Sequence, residues 1–590
     1  MPKEVKNRIG QYRITTIFVL ALLMFIILII RFYTLQITNY AIYRSAAVGN
    51  MLNRIDISAP RGIVYDRNGQ EIIYNVPCYN VIVYPDLIKR HPDTWQKLAD
   101  ITGASVEALQ YTMKRNQYGA YRPAVVLRNI DFKINTIINE NIQDLPGAEI
   151  VFSPIREYTN DIKSGNLLGY TAQIRRKDMY KYRESGYKLG DIIGYDGVEK
   201  QYEHLLRGKR GYRYKLVNAS GKPLNDQAYE QINPEPGNAL YLTIDCELQA
   251  YAESLLVNYN GAAIVMNYEN GEILASVSSP TYDPDMFTDG LTQAEWDSIV
   301  QDKHIPLFNR MIRGQYPAGS IYKMVAAIAA LEKKVITPST EFECTGVYNL
   351  GGRDYKCSHI HGMENLNEAI AHSCNIYFYN LILKLGIDDW SYYAKHMTFG
   401  ELTGIDLPGE LAGICPDREF MDKQYGKRKW WKGMWLNMVI GQGDVLVTPM
   451  QVIRYTGILA TRGKIVTPHV LKSIHYTHDN TTQKPEYQVK QINEISASTW
   501  REIGAGMQNA VQSGWGTGRT ANVPGLHMYG KTGTAQNPHG ESHGWFLGYS
   551  KKTDFPYAVV VFIEHGIAGS DIAAPVAGQL LKAYYYMRDK

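Results

Sequence analysis

YPAGSIYKMVAAIAALEKK, residues 316–334, is a tight turn followed by a strong helix former. Tyr316-Pro-Ala-Gly319 interrupts regular structure, and the alanine-rich run beyond Lys323 favours a helix. That places Ser320 in the first helical turn, with its hydroxyl near the partial positive charge of the helix N-terminus. Lys323, three residues on, lies over the same face. A serine with an adjacent amine has a base for its proton, as covalent acyl transfer requires. The S-x-x-K pattern is weak alone: Ser185 to Lys188 also matches, but it sits among glycines with no apolar helix behind it and reads as a surface loop.

Two further elements follow in order. Ser373-Cys-Asn375 lies within LNEAIAHSCNIYFYNLILKLG, residues 366–386, where the bland alternative is a polar end to a packed helix; S-x-N recurs at Ser164 to Asn166. Lys531-Thr-Gly-Thr534 stands just before the strand-like GWFLGYS, residues 544–550. Serine with lysine on a helix, then S-x-N, then K-T-G at a strand is the motif set of penicillin-recognising serine acyl enzymes.

The flanks give the architecture. AAIVMNYENGEILASVSS, residues 262–279, reads as two strands around Asn270-Gly271, and YAVVVFIEHG, residues 557–566, as a further strand. APVAGQLLKAYYYM, residues 574–587, reads as a closing helix. Helical stretches lie between these β ends, so the C-terminal region, residues 238–590, is expected to be an α/β domain with an antiparallel sheet. A Pro-rich break, residues 233–237, sets its start. Upstream, residues 34–237 read as a β-rich pedestal, with a hairpin in IVYDRNGQEIIYN, residues 63–75. Leu98, Ile101, Val106, Leu109 and Met113 recur in threes to fives, so a helical subdomain is expected as an insert over about residues 92–144.

Residues 14–30, ITTIFVLALLMFIILII, carry no charge, and Phe32 and Tyr33 extend the run to 14–33. That length suits a bilayer crossing and exceeds a signal-peptide core. Lys3, Lys6, Arg8 and Arg13 against Glu4 hold the short tail, residues 1–13, in the cytoplasm. A single-pass protein with the rest of the chain outside follows; in a bacterium that is a cytoplasmic-membrane anchor with the catalytic part in the periplasm or wall space.

Composition agrees. The 590 residues are 45% hydrophobic and 20% charged, which excludes a disordered chain and calls for more than one domain. Net charge is +4 with no basic run, so nucleic acid is not an expected partner. Six cysteines are too few for a disulfide scaffold. Cys344, Cys357 and Cys374 nevertheless gather near His359 and His361, and Cys344, Cys357, His361 and Cys374 would complete a tetrahedral zinc site. A Cys344 to Cys357 disulfide and three buried thiols are the alternatives. Cys78, Cys246 and Cys415 read as isolated packing residues.

On these motifs the chain resembles the class B penicillin-binding proteins, monofunctional peptidoglycan transpeptidases, and within them the elongation type. The resemblance extends to Ala59-Pro-Arg-Gly62 with Asp66-Arg-Asn-Gly69, to Gly194-Tyr-Asp-Gly-Val-Glu199 with Leu206-Arg-Gly208, and to Ile440-Gly-Gln-Gly443 with Val447-Thr-Pro449. It implies Ser320 as nucleophile and Lys323 as its base, with Ser373 relaying a proton and Asn375 orienting lysine and substrate. Lys531, Thr532 and Thr534 would hold the donor carboxylate, and Gly533 would let the substrate lie along the strand. The backbone amides of Ser320 and Thr534 would form the oxyanion hole. No cofactor is required for the chemistry, and the metal that some elongation-type relatives carry beside the second motif favours the structural-zinc reading. The implied partners are peptidoglycan stem peptides, β-lactams and a SEDS-family glycan polymerase of the RodA-like kind. A D,D-carboxypeptidase or β-lactamase, or an inactive β-lactam-binding scaffold, is the alternative. Glu364-Asn-Leu-Asn367 faintly resembles a β-lactamase signature, but it precedes Ser373 and reads as a helix start.

Overall fold

The computed structural model describes residues 3–39, 52–117, 123–188, 190–217, 223–288, 290–427, 429–537 and 540–588. The helix Lys3–Tyr33 opens the chain, and the stretch Ile14–Thr38, of mean hydropathy 2.8, buries nothing inside the protein. It is long and apolar enough to cross a membrane.

A three-stranded antiparallel sheet follows, with strands Leu52–Ile57, Gly211–Val217 and Pro223–Ile232. The expected hairpin is present, with Val64 opposite Ile73. Its turn is built by Asp66, whose Oδ1 accepts the amides of Asn68 at 2.7 Å and Gln70 at 2.9 Å, and by Gly69 at φ 91°. These strands do not form a sheet of their own. The six-stranded sheet runs Thr481–Gln483, Leu471–Tyr476, Ala239–Leu242, Val64–Tyr65, Glu71–Val76, Ile155–Tyr158. It therefore unites strands from both sides of the Pro-rich break. Backbones crowd there: a side chain on Gly62 would lie 1.8 Å from the Asn238 carbonyl oxygen, and only glycine fits.

Beside this junction lies a buried charge cluster. Glu199, fully buried, accepts from Arg61 and from Arg156 Nε at 2.7 Å, while Arg61 reaches Glu203 at 2.9 Å. Burial would raise the Glu199 carboxyl, but the charges of Arg156 and Arg61 overcome it and hold the group below its ordinary value. The two pedestal motifs, around Arg61 and around Glu199, are thus joined by charge.

The inserted unit carries the expected helices, Asp93–Thr102, Val106–Asn116 and Phe132–Glu140, with Leu98 and Leu109 buried. It also contains a three-stranded sheet, Ala124–Ile130, Tyr79–Val83 and Ala148–Phe152, so it reaches from Tyr79 to Phe152 rather than over the helical stretch alone. Its core, including Val81, Trp95, Leu98, Leu109, Val126 and Ile138, is separate from the others.

The C-terminal region holds a five-stranded antiparallel sheet in the order Ile273–Ser279, Gly261–Asn267, Tyr557–Ile563, His543–Ser550, Met528–Ala535. Both faces are covered, which explains runs such as YAVVVFI that do not alternate with polar residues. Ala558, Val560 and Phe562 enter the larger core, and Val559, Val561 and Ile563 enter the smaller core beneath Cys246–Leu256 and Ala574–Met587. The helix Lys323–Glu332 is buried from Lys323 through Ala330, as its run of apolar residues from Met324 to Leu331 requires.

Removing one partner of the Glu199 cluster leaves a buried charge uncompensated. Arg156→Ala is expected to lower the unfolding free energy by about 3–5 kcal/mol in denaturant titration. Because the Glu199 carboxyl is depressed in the folded state, its contribution is present above its unfolded value and fades as pH falls through the folded one. The gap between wild type and Glu199→Gln should narrow in acid.

Candidate active site

Four elements converge on Ser320. The first is the turn Gly319–Tyr322, a single 3-10 turn ahead of the helix Lys323–Glu332, so Ser320 precedes the helix proper. Gly319 is left-handed at φ 61°, and a side chain there would meet the Thr534 carbonyl oxygen at 2.8 Å. The turn is therefore pressed against the strand Met528–Ala535. Its N-terminal approach is pinned by Tyr316 Oη donating to Glu564 at 2.7 Å and by Trp545 Nε1 donating to the Pro317 carbonyl at 3.0 Å.

Lys323 is fully buried. Its Nζ donates to the Ser373 carbonyl at 2.6 Å, to Ser373 Oγ at 3.2 Å and to Asn375 Oδ1 at 2.7 Å. Burial pushes its amine down to about 8, against the raising effects of Cys357, Cys374, Glu364 and Cys344. A sizeable neutral fraction near physiological pH is what a general base needs.

Ser373-Cys-Asn375 is not the polar end of one helix. It links Leu366–Ala371 to Asn375–Leu385, with Ser373 left-handed at φ 62°. This strained corner turns both polar side chains toward Lys323. Asn375 Nδ2 also donates to the Lys356 carbonyl at 3.1 Å, which fixes its amide orientation.

Lys531 is buried on the edge strand Met528–Ala535, and its Nζ donates to the Thr532 carbonyl at 2.9 Å. Burial and then the charge of Lys323 hold this amine well below its ordinary value. Thr532 Oγ1 donates to Thr517 Oγ1 at 2.8 Å, and Thr534 is exposed. A side chain on Gly533 would meet Ile321 Cγ2 at 3.0 Å and the Ala318 oxygen at 3.1 Å, so this glycine also lets the nucleophile turn approach the strand. Thr517 carries no motif, and only its contact reveals it. Gln442, at 3.5 Å from the Thr534 carbonyl, belongs to the noted Gly-Gln-Gly stretch.

The competing matches are separated from this site. Lys188 pairs with Asp56 on the pedestal, and Ser185 lies in an exposed turn. Ser164 is buried against Glu253 and Gln249, and Asn166 donates to the Pro306 carbonyl at 3.0 Å, a strut between pedestal and C-terminal region. Glu364 ends a strand and Asn365 caps the helix Leu366–Ala371, so the stretch is the expected helix start; the buried Glu364 carboxylate holds His372 Nδ1.

Beside Asn375, the donor atoms of Cys344, Cys357, His361 and Cys374 all lie within 4.8 Å of one another. Cys344 Sγ and Cys357 Sγ stand 3.4 and 3.6 Å from His361 Nδ1. Bonds of about 2.0–2.3 Å to a tetrahedral ion separate neighbouring donors by about 3.5–3.8 Å, so three thiolates and one imidazole fit zinc. None of the six cysteines is in a disulfide, and Cys78, Cys246 and Cys415 stand outside this group.

Residues 261–582 match the family model of the penicillin binding protein transpeptidase domain, and residues 56–242 that of the penicillin-binding protein dimerisation domain. The chain is 30% identical to the peptidoglycan D,D-transpeptidase MrdA of Haemophilus influenzae, over 99% of this chain and 93% of that one. The solved complex between penicillin-binding protein PBP2 and MreC from Helicobacter pylori contains a chain of 28% identity and TM-score 0.81, covering 91% of this chain and 99% of that one. A peptidoglycan synthase complex described as coordinating polymerization and crosslinking contains another, of 27% identity and TM-score 0.72, covering 98% of both chains. With its serine, two buried lysines and edge strand on that fold, the chain belongs to the penicillin-binding protein transpeptidase family.

Proposed function

We infer that the chain is a peptidoglycan D,D-transpeptidase working through a serine acyl-enzyme. The observation that carries this is the buried Lys323 amine, held by Ser373 and Asn375 within the turn that presents Ser320. Ser320 Oγ attacks the carbonyl between the two terminal D-alanines of a donor stem peptide, and its proton passes to neutral Lys323 Nζ. The backbone amides of Ser320 and Thr534 steady the oxyanion. Ser373 Oγ returns a proton to the leaving amine, D-alanine departs, and an ester to Ser320 remains. The free edge of Met528–Ala535 receives the donor as an added strand, with Lys531, Thr532 and Thr534 near its terminal carboxylate. An amine from a neighbouring stem peptide then attacks the ester, forming the cross-link and freeing Ser320. A β-lactam enters as a donor mimic and stays bound as a stable ester.

The apolar N-terminal helix supports a single-pass protein with its N-terminus in the cytoplasm and its catalytic domain outside. The MrdA relatives and the neighbouring synthase complex support a role in wall elongation beside a glycan polymerase of the RodA-like kind. Zinc held by Cys344, Cys357, His361 and Cys374 would supply structural cross-linking only. It would stiffen the loop that sets Asn375, whose amide donates to Cys357 Sγ at 3.2 Å.

Intact mass after exposure to a penicillin should show a long-lived adduct on wild type and none on Ser320→Ala; an adduct that vanishes within minutes would instead indicate a β-lactamase. Because the Lys323 amine is depressed to about 8, the penicillin acylation rate should climb with pH up to about that value and level off above it. Lys323→Ala should lose about 10²–10⁴-fold in the same rate. For the metal set, elemental analysis of the purified chain is expected to give about one zinc per molecule. Chelation should then lower the melting temperature of wild type and leave a Cys344→Ser/Cys374→Ser variant, already lowered, unmoved.

A further inference from the structure

The hairpin formed by Val347–Leu350 and Arg353–Lys356 lies over the start of the helix Lys432–Val439. A side chain on Gly433, in that helix's first turn, would sit 2.5 Å from Tyr355 Oη and 2.2 Å from Trp431 Cη2. Tyr355 is only 6% exposed, and its hydroxyl is buried with no hydrogen-bond partner among the described residues. Trp431 precedes the helix and supplies no side-chain cap; the Met434 amide bonds the Trp431 carbonyl at 3.0 Å, and the first-turn amides of Lys432 and Gly433 carry their partial positive charge uncapped. The Trp431 indole, 45% exposed, lies against the same first-turn glycine as the Tyr355 hydroxyl. Arg353 and Lys432, the latter in the helix's first turn, are exposed, with the Arg353 guanidinium 5.6 Å from the centre of the Tyr355 ring. Asp354, the acid of the hairpin strand, is already engaged by Asn349 at 2.7 Å. An orphaned hydroxyl, an uncapped helix start and two cations favour an anion.

The site is tied to the active site at both ends. At one end, Lys356 gives its carbonyl to Asn375. At the other, the helix runs into Gly441, where a side chain would lie 2.3 Å from the Gly319 oxygen beside the nucleophile. Its eight residues span about 12 Å, which an extended peptide covers in about four residues. The geometry points to a carboxylate subsite for the donor stem peptide: an acidic peptide segment, about four residues before the scissile bond, seats its carboxylate at Tyr355 Oη and the first turn of Lys432–Val439. Arg353 and Lys432 flank it, and the Trp431 ring moves onto the peptide. This rests on the transpeptidase reading and adds a preference for acidic over amidated stems.

The test uses the full chain in detergent, as Ser320→Ala so that nothing is turned over. The probes are a synthetic pentapeptide ending in D-Ala-D-Ala with free side-chain carboxylates and its side-chain amidated twin, with affinity read from indole fluorescence and calorimetry. The acidic peptide is expected to bind about tenfold more tightly, as one charge-assisted hydrogen bond provides. Adding Arg353→Glu with Lys432→Glu should abolish or reverse that preference, and Arg353→Lys with Lys432→Arg should retain it. Equal binding of the two peptides, or a preference that survives charge reversal, would overturn the subsite while leaving acyl transfer at Ser320 intact. Failure of the Ser320 protein to form a penicillin adduct is the separate result that would strike the transpeptidase reading.

Discussion

Two lysine amines buried within reach of one another, neither paired with a carboxylate among the described residues, form the constraint around which the catalytic region is organised. Charged amines in such a place are costly, and two at once are costlier. The protein answers with carbonyl and amide oxygens rather than counter-ions: Ser373 and Asn375 for Lys323, and the Thr532 carbonyl for Lys531. Polar neutral partners leave the amines free to lose a proton, whereas a carboxylate would lock them charged. The left-handed Ser373 and the crowded glycines Gly319 and Gly441 follow from the need to bring helix, corner and strand this close.

That closeness needs a stiff surround. On one side the nucleophile turn is pinned through Tyr316 to Glu564, which Arg310 also holds at 3.0 Å. On the other, the hairpin bearing Cys357 is tied to Asn375 through both its backbone and its sulfur. Further out, Tyr202 of the pedestal donates to Asp406 at 2.5 Å, and Asp406 also accepts the amides of Val470 and Leu471. The pedestal is thus joined to the strand Leu471–Tyr476 by side chain as well as by sheet.

Much of the site was legible because its chemistry restricts residue type. Serine, lysine, serine, asparagine and K-T-G stand in order, and the structure brings Lys323, Ser373 and Asn375 into contact. The cysteine and histidine set was legible for the same reason, though its three alternatives could be weighed only once the donor atoms were located. What escaped was set by long-range pairing. Leu471–Tyr476 pairs with Ala239–Leu242, and no local pattern announces a partner so distant in sequence. In the inserted unit, the helical spacing around Leu98 and Leu109 masked Ala124–Ile130, whose burial alternates only at its start and whose Asn129 is left-handed. Thr517 is known only by its contacts with Thr532 and Ala371, and the Tyr355 hydroxyl only by what fails to contact it.

The six-stranded sheet shows why the transpeptidase half is not a detachable module. Cutting the chain at the Pro-rich break would strip Val64–Tyr65 from Ala239–Leu242 and expose a raw strand edge in the middle of the molecule. Such a fragment would carry every catalytic side chain and still be an aggregation hazard. Recombination between related chains faces the same obstacle. A new catalytic half can be inherited intact only if its own Val64–Tyr65 hairpin travels with it, so the unit of exchange is the whole chain beyond the N-terminal helix.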